Sequence, residues 1–233
     1  MKRITRILMG LVLSLFLVVP AYAIPTMEVI INGGAPIIIQ DNIGAADLNP
    51  TLGIVSVLTG GGGWTLNITT GSTKPAATWG TASKPIVDIN TIQAFFAPSG
   101  TVPTGTVRIL FGDTDYTAAN FAGTFQIGGT LGGTGSVTSK AYYDNANGIL
   151  IETALFTNGT LGPITTTPFS LMNNVSGATD NLYSLTLDVL LTATNSFNTS
   201  LDTELQVPEP ISLILLGSGL VGAGLYRRLR RRS

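Results

Sequence analysis

The chain contains no cysteine and no histidine. Without cysteine there is no disulfide and no thiol nucleophile. Without histidine the commonest general base is missing, and with both gone so are the usual zinc ligands. A Ser-His-Asp triad is therefore excluded. Charged residues make up only 11 % of the chain and aromatics only 7 %. The charge is also unevenly placed. Eight of the 12 Lys and Arg lie in residues 1–23 and 208–233, while 12 of the 13 acids precede Pro208. Residues 24–207 thus carry 4 basic and 12 acidic side chains, a net charge of −8. That balance excludes the basic face that nucleic acid requires. It suits a self-repelling soluble domain, and it is compatible with divalent cations.

Glycine, threonine, asparagine and serine are abundant, a composition of strands and turns. Residues 27–31 and 35–40 predict a hairpin around Asn32-Gly33-Gly34. Residues 54–58 and 64–69 predict two strands joined by four glycines. Further strands are expected over 86–97, broken near Asn90, and over 106–111 and 120–127. Residues 113–119 read as loop and the Gly/Thr-rich 128–135 as a flexible tip. Residues 136–143 and 149–156 predict a hairpin around 144–148. Tyr183, Leu185, Leu187, Val189 and Leu191 occupy every second position, and Phe197, Leu201, Leu205 and Val207 alternate against Asn198, Ser200, Asp202, Glu204 and Gln206. Period two means half-buried strands. Thr194-Asn195-Ser196 is expected to turn one into the other. No segment reads as an amphipathic helix. The expected fold is all-β: an antiparallel β-sandwich, jelly-roll-like in topology, formed by residues 24–207 as one domain.

The two ends read differently. Lys2, Arg3 and Arg6 precede the apolar stretch 7–19, and Ala21-Tyr22-Ala23 follows as an A-x-A site. This predicts a signal peptide over 1–23, cut after Ala23. At the other end, Ile211 to Tyr226 is uncharged, and Arg227, Arg228, Arg230, Arg231 and Arg232 follow. Sixteen helical residues rise about 24 Å, short for a bilayer core of about 30 Å. Snorkelling arginines and local thinning close the gap. The arginines orient the predicted transmembrane helix with its basic tail in the cytoplasm. Pro208 and Pro210 bracket Glu209 and favour an extended segment before it. Taken alone, this is a tail anchor with a proline linker.

Pro208-Glu209-Pro210, the short span and the arginine tail, in that order, resemble the PEP-CTERM sorting signal of Gram-negative bacteria over residues 208–233. The resemblance implies recognition by an exosortase-like membrane peptidase, cleavage at the motif, and an association with exopolysaccharide and biofilm. The strand pair before Val207 resembles, more loosely, the segment that often precedes the motif.

Within 24–207 the candidate chemistry is sparse. Ser83-Lys84 and Ser139-Lys140 are adjacent pairs without a catalytic spacing. Two carboxylates hydrolyse a glycoside when they straddle a cleft. Asp113 with Asp115, and Glu152 with Asp188, are the candidate pairs, the latter two expected on the solvent face of their strands. Asp113-Thr114-Asp115 in a loop offers hard oxygen ligands for calcium, with a turn role as the alternative. Trp79, in a predicted loop, is the best candidate for stacking on a sugar ring. Trp64, Tyr116, Tyr142 and Tyr143 are further candidates, with core packing as the alternative for each. The expectation is an exported surface or matrix protein without catalysis of its own. Its expected partners are signal peptidase, the exosortase, the inner membrane and exopolysaccharide, with no nucleic acid. A tethered carbohydrate- or calcium-binding module is the alternative.

Overall fold

The computed structural model describes residues 23–74, 80–100, 103–180 and 182–206. They form eleven strands: β1 (Thr26–Ile31), β2 (Ile37–Gln40), β3 (Ile54–Gly61), β4 (Trp64–Ser72), β5 (Gly80–Thr81), β6 (Lys84–Phe96), β7 (Gly105–Tyr116), β8 (Ala122–Asp144), β9 (Ala154–Ile164), β10 (Phe169–Ser176) and β11 (Tyr183–Gln206). Every pairing is antiparallel.

The fold is organised by β8 and β11. They pair from Ser184↔Asp144 to Gln206↔Thr124, interrupted only between Ala193 and Phe197. At that interruption both strands change sheets. In leaf one the order is β2-β1-β7-β11-β8-β9, using residues 183–193 of β11. In leaf two it is β3-β4-β6-β11-β8-β10, using residues 197–206. The bend needs glycine. A Cβ on Gly133, at φ +81°, would lie 1.9 Å from the Ser196 carbonyl oxygen.

The apolar faces of the two leaves meet and form the core. Met27, Ile109, Phe111 and Leu187 of leaf one lie fully buried, as do Leu66, Ile89, Phe125 and Leu205 of leaf two. The Ser139 and Thr203 hydroxyls hydrogen-bond at 3.1 Å across the leaves. A Cβ on Gly71 of leaf two would touch Met27 and Phe111 of leaf one at 2.9 Å. On one side the leaves are stitched by Ser176↔Thr157 between β10 and β9.

Three expectations are corrected. Residues 194–196 do not turn one strand back on another. β11 is a single strand of 24 residues, and the polar triplet marks where it bends. Residues 128–135 are not a flexible tip. They lie inside β8, held by β11 and in part by β10. The partner of β8 beyond Asp144 starts at Ala154, not at residue 149.

The bend defines one pole of the sandwich. Because β11 and β8 fold back there, their outer ends return to the opposite pole. Thr26 lies in the same row of leaf one as Gly112, Thr186 and Tyr142. Gln206 lies in the last row of leaf two, beside Ile86 and Thr124. The first strand therefore begins, and the last ends, at the pole away from the bend. Among the described residues no helix is long and apolar enough to cross a membrane. The expected signal peptide, except Ala23, and the expected span lie outside the described residues.

Candidate functional site

Asp113 and Asp115 lie in β7, not in a loop. Asp113 is fully buried and bonds Lys74 Nζ at 3.0 Å. Thr73 Oγ1 donates to the same carboxylate oxygen at 3.3 Å. Lys74 also stands 4.7 Å from the centre of the Tyr116 ring. Burial pushes the Asp113 carboxyl up, and Lys74 pulls it back. Asp115, at φ +63°, instead accepts from Asn147 Nδ2 at 2.7 Å. The two aspartates thus have separate partners, and the calcium reading of this triplet loses its geometric basis. Among the described residues no group of three His, Cys, Asp or Glu is disposed to hold a metal ion.

Glu152 and Asp188 do come together, through Arg108. The guanidinium bonds both Asp188 oxygens at 2.9 Å and also Glu152. Asp188 is buried, against the expectation of a solvent-facing carboxylate. The cause is the segment after Asp144, which folds over the outer face of leaf one. Ser184 Oγ donates to Gly148 O at 2.6 Å, and Leu150 packs over Gly112. Burial raises the Glu152 carboxyl despite Arg108 beside it. Three charges are locked together here, with the guanidinium bonded to both acids.

The aromatic candidates divide. Trp64 and Tyr116 are core residues, buried among Phe96, Phe197 and Tyr183. Tyr142 and Tyr143 are half-buried. Trp79 lies outside the described residues. So do Ala21, Pro208, Glu209, Pro210, Arg227, Arg228, Arg230, Arg231 and Arg232.

The outer face of leaf two carries a site the sequence reading passed over. Glu204 of β11 pairs with Asp88 of β6, and Asp202 follows two residues before on the same face. β6 bulges opposite Asp202, where the register slips by one between Leu201 and Thr203. In the bulge Thr91 takes φ +79°, an outlying conformation for a β-branched residue. Asp88, Asn90, Thr91, Thr130, Ser200, Asp202 and Glu204 line a cavity of about 380 Å³. A second, of about 360 Å³, continues from it along Gln93, Thr130, Asn198 and Ser200. Phe95, two residues beyond Gln93 on the same face, is half exposed. Gly132 leaves room for Asn198, whose Oδ1 would lie 2.0 Å from a Cβ there. Asp88 is 4 % exposed and accepts no hydrogen bond from another described residue. Its carboxyl is pushed up to about 8, first by burial, then by Glu204 and Asp202. Burial and Asp202 raise Glu204 as well.

A third cavity, of about 650 Å³, opens at the bend pole among Asn32, Thr104, Thr106, Thr192 and Thr194. Asn32 closes its floor, donating to Gly62 O at 3.0 Å and accepting from Thr106 N at 2.9 Å.

The last described residue, Gln206, opens the segment that decides the sorting class. Residues 206–232 match the family model of the PEP-CTERM protein-sorting motif. The chain carries a PEP-CTERM sorting motif. The motif implies export, a membrane-associated sorting signal and processing by an exosortase. It starts where β11 ends, so the motif emerges from the central strand of leaf two. No curated protein sequence matches the chain. Among solved structures, the enzymatically active domain of bacteriophage CBA120 tailspike protein 4 is similar at 12 % identity and a TM-score of 0.29, over 62 % of this chain and 19 % of that one. The chain thus spans about a fifth of the tailspike chain. TmCBM61, solved with β-1,4-galactotriose, is similar at 9 % identity and a TM-score of 0.28, over 62 % of this chain and 88 % of that one. A family 29 carbohydrate-binding module is similar at 12 % identity and a TM-score of 0.22, over 66 % and 84 %.

Proposed function

We propose that this is an exported surface or matrix protein, cut by an exosortase at Pro208 to Pro210 and delivered to the cell surface or exopolysaccharide, with no catalysis of its own. The observation that carries the reading is the sorting motif, matched over residues 206–232 and issuing from the last residue of β11. Gln206 is hydrogen-bonded into a ladder on both sides, so the motif follows the folded body with almost no slack. The geometry of the ends agrees with one membrane-facing pole, because β1 starts and β11 ends on the same side of the sandwich. In this arrangement the bend pole points away from the bilayer and the outer faces of both leaves stand to its sides. The absence of histidine and cysteine, and the capture of Glu152 and Asp188 by Arg108, support a non-catalytic body.

Intact-mass spectrometry of the protein from its native host tests the reading. The expected species begins at Ile24 and ends within residues 208–210. A mature species that keeps Arg227 to Arg232 would replace sorting with permanent anchoring.

A further inference from the structure

The acidic lane on the outer face of leaf two is not explained by sorting or by stability. Asp88 stands in it 4 % exposed, its side chain lining the cavity. Its carboxyl opens onto that cavity, so its acceptor positions are free to take a donor that arrives from outside. Burial, and then Glu204 and Asp202, push the Asp88 carboxyl up.

The identity of that partner follows from the rest of the face. No group of three acids among the described residues is disposed to hold a metal ion, which argues against a bare cation. The net charge of −8 over residues 24–207 repels polyanions. From Asp88 to Phe95 the lane runs seven steps along β6, about 23 Å at ~3.3 Å per residue, the scale of a chain and not of a single small molecule. Its lining is hydroxyl, amide and carboxylate, ending in one exposed aromatic ring. Carboxylates accept hydrogen bonds from hydroxyl donors, and amides both accept and donate. An aromatic face receives the apolar face of a ring.

We propose that this face binds an extended, uncharged polysaccharide chain, with its hydroxyls on Asp88, Asp202, Glu204, Gln93 and Asn198 and one sugar ring on Phe95. The site rests on the reading of the body as a surface protein, but not on whether the tail is cut.

The full chain, in mild detergent, is passed over immobilised dextran, hydroxyethylcellulose, galactan and mannan, with alginate as the polyanion. The expected result is retention on at least one neutral polymer and none on alginate. Phe95→Ala, a surface change, is expected to weaken retention at least tenfold, and Glu204→Gln to weaken it while leaving the folded spectrum intact. No retention on any neutral polymer overturns the assignment, as does retention indifferent to both variants. Stronger retention on alginate overturns it too. Retention lost in chelator and restored by calcium overturns it in favour of a cation site. An uncut tail with retained binding sinks only the sorting proposal, and a cut tail without binding sinks only this one.

Discussion

Asp88 and Glu204 are direct cross-strand partners on the outer face of leaf two. Burial disfavours the charged form of Asp88, and the like charge of Glu204 opposite adds to it. The sheet therefore holds Asp88 with its proton retained to about pH 8, while an unfolded chain releases it near 3.8. Such a pair is an odd choice for a strand whose only task is to complete a ladder.

A pH dependence of stability follows. Asp88 has a raised pKa in the folded state, so its contribution is fully present below about pH 4. It is lost as the pH rises through about 8. Glu204 is shifted in the same direction. The melting temperature of the native protein is expected to fall between pH 5 and pH 9. Asp88→Asn is expected to flatten that slope and to raise the melting temperature by several degrees at pH 9. Equal slopes for both proteins in scanning calorimetry would show that the pair does not control the titration.

The end of the core nearest Thr26 and Gln206 is held by Lys74 and Asp113. The Asp113 side chain is fully buried and that of Lys74 is 11 % exposed. Removing one partner strands the other charge in the interior, a cost of about 3–5 kcal/mol. Lys74→Met is thus expected to be strongly destabilising in urea, whereas Lys74→Met combined with Asp113→Leu recovers part of the loss. A double variant as unstable as the two single losses added would mean that the pair does not interact.

These networks show where the sequence was legible. The all-β class, the hairpin at Asn32-Gly33, the break near Asn90 and the alternation of Tyr183 to Leu191 all follow from local rules. Those rules act between neighbours in the chain. The bend of β11 does not. Thr194-Asn195-Ser196 has the composition of a turn, and only the unbroken partner strand β8 makes it a corner. The burial of Asp188 depends equally on distant chain, because Arg108 and the segment after Asp144 cover a face that period two assigns to solvent. Asp113 reads as loop because a carboxylate beside Thr and Asp has the composition of a turn, and its partner Lys74 lies 39 residues away. The lane around Asp88 left one faint signal. Phe95 alternates with Gln93 on the polar side of β6, where a surface strand has no packing need for a phenylalanine.

Arg108 offers a separate test on leaf one. Its side chain holds the segment after Asp144 through Glu152 and the buried Asp188 through two hydrogen bonds. Arg108→Lys keeps the charge but loses the planar fork that serves both carboxylates. The expected outcome is faster hydrogen exchange over residues 145–153 in Arg108→Lys, with β8 and β11 unchanged. Glu152→Gln, at a half-exposed position, is expected to cost less than about 1 kcal/mol. Slower exchange, or loss of protection throughout β11, would contradict a local clamp.

The last prediction concerns where the fold ends. Leu205 is fully buried between β6 and β8, and Gln206 closes both ladders. A cut within Pro208 to Pro210 lies beyond Gln206, so the body keeps every described residue of its central strand. Stability after exosortase-type cleavage is therefore expected to match that of the uncut protein. Losing Leu205 is a different matter, because a large-to-small change at a fully buried leucine costs about 2–5 kcal/mol. Thermal unfolding of chains ending at Val207 and at Glu204 separates the two cases. The first is expected to melt with the intact body and the second many degrees lower. Equal melting temperatures for both would mean that the final turn of β11 is dispensable, and that the sorting peptidase has more slack to work with than the ladder implies.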